Sequence, residues 1–108
     1  MEVILMIVRK GGNFLDTECD QAFMKIKMPM APFIGMHITV SKTHLEVSGI
    51  SVNVDENIIL VTLNVLHYKY GADKGRAYGN QLFDSIIKQD KRWDIGGKKI
   101  FAMPLKTV

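Results

Sequence analysis

With 108 residues, 47% of them hydrophobic and 23% charged, the chain is long enough to bury a core without staples and too apolar to be disordered. Its net charge is +3, and its one cysteine, Cys19, excludes an intramolecular disulfide and favours a reducing, cytoplasmic setting. One domain over 1–108 is expected, with no membrane span, because the apolar run at 3–8 is far shorter than a bilayer requires.

Residues 3–9 predict a strand that is apolar on both faces and therefore central in a sheet. Residues 13–28 carry two periods at once. Leu15, Cys19, Ala22, Phe23 and Ile26 follow helical spacing, whereas Ala22, Met24, Ile26 and Met28 alternate with Lys25 and Lys27. A short helix near 14–20 followed by a strand near 22–28 reconciles them. Pro29 and Pro32 then impose an extended crossing.

Met36, Ile38 and Val40 alternate with His37, Thr39 and Ser41, and Leu45 and Val47 alternate with His44, Glu46 and Ser48. This predicts a hairpin, with Lys42 and Thr43 as its loop, Val40 opposite Leu45, and both strands agreeing on the apolar face. The apolar phase then changes from odd positions to even ones at Ile50, Val52 and Val54. A β-bulge at Ser48-Gly49 absorbs such a slip. Residues 55–57 form a turn, and 58–68 predict a long strand with apolar groups on both faces.

A helix is expected from about Asp73 to Lys91, with Gly75, Gly79, Leu82 and Ile86 as its apolar stripe. Trp93 anchors its end, Gly96-Gly97 turns the chain, and residues 100–103 return as a last strand ending at Pro104. The fold class expected is α+β: a mainly antiparallel sheet of five to six strands with a C-terminal amphipathic helix packed on one face.

Four groups of residues carry possible chemistry. The first opens the helix: Lys74, Gly75, Arg76 and Gly79 at a helix N-terminus offer a place for a ligand or an anion. The run Arg76-Ala77-Tyr78-Gly79-Asn80 partly resembles the acetyl-CoA-binding turn of the acetyl-CoA-dependent acetyltransferases, which would imply an acyl-CoA-type ligand and an enzyme. It departs from that pattern at Gln81, where a glycine or alanine is required, and the chain is short for that fold. The packing alternative is that Gly75 and Gly79 let the helix approach the sheet closely.

The second group is the polar face of the hairpin, His37, Thr39, His44 and Glu46. Two imidazoles and a carboxylate suit acid–base work, but they are too few to fill a metal shell, and a solvated sheet face explains them as well. No metal or cofactor is expected. The third is Cys19 among Asp16, Glu18 and Asp20, whose charges disfavour a thiolate nucleophile.

The fourth is a basic end. Residues 69–108 carry nine Lys/Arg against four Asp/Glu, whereas residues 1–68 carry five against seven. Lys69, Lys88, Lys91, Arg92, Lys98 and Lys99, with aromatic residues between them, are the candidate nucleic-acid contacts. If 13–26 were helical, the order α–β–β–β–α would resemble that of a double-stranded-RNA-binding domain, which implies an RNA partner. A solvated helix face accounts for the same charges.

Met24, Met28, Met30, Met36 and Met103 could serve an adaptable surface, although filling core gaps is the ordinary use of methionine. The apolar strand surface exceeds what one helix can cover. The expectation is therefore a binding or interaction module that pairs with itself as a homodimer. Nucleic-acid binding at the basic end and ligand binding at the glycine-opened helix are the alternatives.

Overall fold

The computed structural model describes residues 1–10, 19–65 and 72–101. Among these residues, six strands and a helix occur in the order β1 (Glu2–Lys10), β2 (Cys19–Lys27), β3 (His37–Val40), β4 (Thr43–Asn53), β5 (Ile58–Asn64), α1 (Ala72–Gln89) and β6 (Asp94–Ile95). The fold is α+β. The strands form one sheet in the order β3-β4-β5-β1-β2-β6.

The sheet is mixed: four of its five pairings are antiparallel, as expected, and one is parallel, which was not foreseen. β1 runs parallel to β5, while β1–β2, β2–β6, β3–β4 and β4–β5 are antiparallel. The parallel pair lies at the centre, where a strand apolar on both faces can be covered on both. Along the chain, β1 and β2 pair as neighbours, the β2–β3 connection crosses to the far edge, and β3, β4 and β5 return inward to place β5 beside β1. Alternation within each strand does not encode that return.

The ambiguity at 13–28 resolves as strand over Cys19–Lys27; the helix expected near 14–20 falls almost wholly outside the described residues. Pairing with β1 in the register Leu5↔Met24 and Val3↔Ile26 selects the period of two. Because β2 is a strand, the α–β–β–β–α order of an RNA-binding domain is not present. β5 ends at Asn64, and 66–68 of the strand expected there lie outside the described residues. The last strand among the described residues is Asp94–Ile95. Residues 96–100 form a turn and Phe101 a bend instead of the strand expected at 100–103, and 102 and 103 lie outside the described residues.

The hairpin loop is Ser41-Lys42, one residue earlier than expected, with Val40 opposite Thr43 and Ile38 opposite Leu45. Both loop residues have positive φ, 52° and 60°, as a two-residue primed turn requires. The alternation fixed which face each residue occupies but not the position of the loop, because either pairing keeps even residues of β3 opposite odd residues of β4. The register shift between Val47 and Gly49 is the bulge expected there.

The core lies on one face of the sheet. Val3, Leu5 and Ile7 of β1, Ala22 and Met24 of β2, Leu45 and Val47 of β4, and Val61 and Leu63 of β5 are buried there with Phe83 and Ile86 of α1 and Trp93. Each of the valine, leucine, isoleucine, methionine and phenylalanine side chains among them contributes roughly 1.5–3 kcal/mol by leaving water. The other face carries Ile4, Phe23, Ile58 and Leu60, set by the pairings Ile4↔Lys25, Met6↔Phe23 and Ile4↔Leu60.

Candidate functional site

The second face of the sheet carries an apolar strip of Ile58 and Leu60 of β5, Ile4 and Met6 of β1 and Phe23 of β2, and the segment after β6 closes over part of it. Gly96 and Gly97 both adopt positive φ, 76° and 69°, a conformation that strains any residue with a Cβ. The Asp94 carboxylate, buried beside the turn, accepts hydrogen bonds from the backbone N–H groups of Lys99 and Ile100 at 2.7 and 2.8 Å. The turn brings Phe101 edge-on to Phe23, with ring centroids 5.0 Å apart. Such a pair adds about 0.5–1.5 kcal/mol beyond its burial.

Between this turn, the start of β1 and the β4–β5 turn lies a cavity of about 850 Å³. Ile4 is buried within it, and Ile58, Ile100 and Phe101 are half-buried. The exposed side chains Glu2, Lys25, Glu56 and Lys98 surround its opening. Lys25 is 3.7 Å from Glu2 in a solvated ion pair, which is worth at most about 1 kcal/mol. Lys98 and Glu56 have no ion-pair partner among the described residues.

The residues singled out from the sequence lie elsewhere, and Lys98 alone joins the cavity. Lys74, Gly75 and Arg76 stand in the first turns of α1, but their side chains lie outside those described; Gly79 is buried. His37 and Glu46 face each other across β3 and β4, with Nε2 and Oε2 3.7 Å apart. Thr39 Oγ1 and His44 Nδ1 share a hydrogen bond at 2.6 Å. These four make exposed cross-strand pairs, and among the described residues no cluster of metal-ligating side chains occurs.

The basic residues do not form one stripe. Lys88 and Lys91 flank a shallow groove with Arg9, which is itself paired to Asp84 at 3.1 Å. Lys98 and Lys99 belong to the turn after β6. Lys69 lies outside the described residues. Arg92 is committed to Asp90, which it meets through Nη2 at 2.7 Å and Nε at 3.0 Å.

That pair belongs to a network the sequence did not announce. The Trp93 indole N–H donates to Ser41 Oγ at 2.8 Å, and the Ser41 hydroxyl donates to Asp90 Oδ2 at 2.6 Å. The Gln89 amide donates to the Ser41 carbonyl at 2.8 Å. The Arg92 guanidinium, then the Ser41 hydroxyl, hold the Asp90 carboxyl well below the usual carboxylate range. The network ties the end of α1 to the primed turn, and among the described residues no buried side-chain polar atom lacks a partner.

Comparison with protein-family models, with curated proteins and with solved structures gave no match to this chain. Among the described residues, no helix is long and apolar enough to cross a membrane.

Proposed function

We propose that the chain is a small binding domain that takes a molecule with an apolar body and a polar head in the cavity on the sheet face away from the main core. The cavity carries this reading. Its volume of about 850 Å³ lies within the range of small-ligand sites, which are mostly apolar with a few polar groups to orient the guest. Ile4, Ile58 and Phe101 supply hydrocarbon, and Lys98 and Glu56 supply charges at the opening that no described ion pair occupies. In this reading α1 is an amphipathic helix serving one face of the sheet, and it leaves the other face to the ligand. The lining offers carboxylates, ammonium groups and hydrocarbon, a chemistry suited to retention more than to bond-breaking.

Native mass spectrometry of the full chain with excess sodium decanoate tests the reading, using Ile58→Trp as a variant that fills the cavity. The wild type should carry decanoate at one equivalent, and Ile58→Trp should carry little at an unchanged circular dichroism spectrum. Bare wild-type protein, or equal loading of the two proteins, would refute it.

A further inference from the structure

We propose that this chain associates with a second copy of itself through an apolar surface built from the β2–β3 connection and the adjoining end of the sheet. Residues 28–36 read Met-Pro-Met-Ala-Pro-Phe-Ile-Gly-Met, nine positions with no charged or hydrogen-bonding side chain. Met28 turns into the core and Met36 packs against it, but Met30, Phe33 and Ile34 are each more than half exposed.

The strand register adds neighbours to them. Met1 and Met28 bond to each other through their backbones. The pairings Glu2↔Lys27, Ile4↔Leu60 and Val52↔Ile59 set Met1, Val52 and Val54 at this same end of the sheet. Val52 is 61% exposed and Val54 84%. Val52 lies on the core side of β4, in phase with Ile50, and Met1 and Val54 stand just outside the ends of β1 and β4. The surface therefore continues the face that α1 covers only in part.

Three observations select a second copy as the occupant. The first is area: six side chains more than half exposed present on the order of 600 Å² of apolar surface, the upper end of what a monomer leaves in water and close to one partner's share of a standard interface. The second is charge. The patch holds none, so nothing in it selects a partner of opposite sign, and apolar attraction without direction is met by the same patch on a twofold-related copy. Its border mixes signs, with Glu2 opposite Lys27 and Asp55 and Glu56 in the next turn, which gives no basic surface for anionic lipid.

The third is rigidity. Gly35 N–H donates to the Val47 carbonyl at 2.9 Å and Met36 N–H to the Phe33 carbonyl at 3.0 Å. Together with Pro29 and Pro32, these bonds hold the connection before a partner arrives, which lowers the ordering cost of association. The surface meets the cavity at Glu2 and Glu56, but none of its six exposed apolar side chains lines the cavity, so neither reading depends on the other.

Sedimentation velocity of the full chain between about 1 and 200 µM, a range that brackets micromolar self-association, tests the proposal, with Ile34→Lys and Val54→Lys as separate variants. Both residues are exposed, so the variants should keep the wild-type circular dichroism spectrum and melting temperature. The wild type should dimerise within this range, and each variant should weaken dimerisation by about 100-fold or more, as expected when a charge is forced into an apolar contact. A wild-type monomer at 200 µM would overturn the proposal. So would variants that dimerise as the wild type does, or a wild-type monomer that instead binds phosphatidylcholine–phosphatidylserine vesicles.

Discussion

Ser41 does more than its position in a turn requires. It holds a positive φ that costs a residue with a Cβ about 1–2 kcal/mol, accepts from the Trp93 indole and donates to Asp90. Ser41→Ala should therefore destabilise the chain by roughly 1–3 kcal/mol, because it strands a buried indole N–H and one carboxylate contact; urea unfolding measures this. Asp90 gives the same network a pH signature. Its side chain is only 12% exposed, and its folded carboxyl sits well below its unfolded value, chiefly through Arg92. A depressed carboxyl stabilises the fold above its unfolded value, near 3.9, and loses that contribution as pH falls through the folded one. Asp90→Asn should be clearly less stable than wild type at pH 6, and the gap should narrow as pH drops from about 4 toward 2. A gap that stays constant across that range would remove the ion pair from the account. None of this was legible residue by residue. Trp93 was recognisable as an anchor after the helix, but its partner lies 52 positions away in sequence, and no local pattern connects them.

At the scale of elements, alternation was a reliable guide to which face a residue takes and a poor guide to which strand it pairs with. The phase change after Val47 exposed the bulge because a slip of one residue moves every later side chain to the other face. The hairpin loop was misplaced by one residue because Ser41 and Lys42 do not carry the glycine or asparagine that marks a primed turn. That same mismatch gives a test: Lys42→Gly should stabilise the chain by about 1 kcal/mol, since φ of 60° costs glycine nothing. The two glycines that matter most behave differently. A Cβ at Gly49 would meet nothing nearer than Thr62 at 3.6 Å, whereas one at Gly97 would lie 2.5 Å from the Phe101 ring and 3.0 Å from Phe23. Gly49→Ala should change stability little. Gly97→Ala should cost about 2–4 kcal/mol through overpacking and backbone strain, and should separate the two rings. Comparing the melting temperatures of the two variants checks both statements at once.

For the whole molecule, the sequence signalled a surplus of apolar strand surface, and the structure shows where it goes. One face meets α1 and Trp93. The other is covered in part by the turn at 96–101, which leaves a cavity between Ile4, Ile58 and Phe101. The parallel β1–β5 pairing brings Ile4 beside Leu60, and through it Ile58. A parallel pairing of strands more than fifty residues apart leaves no mark in either strand's own alternation, so neither the cavity nor its charged opening was foreseeable. Glu2, Lys25 and Glu56 read as ordinary surface charges when taken in sequence order. In the β2–β3 connection the two prolines and Met30 stood out in the sequence, but the exposed Phe33 and Ile34 beside them did not.

The most direct test of ligand binding is an amide ¹H–¹⁵N correlation titration of the full chain with sodium decanoate. Shifts that saturate and cluster at Ile4, Lys25, Ile58, Lys98 and Phe101 are the result expected. No shifts at millimolar decanoate, or shifts confined to residues 28–36 and Val54, would contradict the cavity as a binding site.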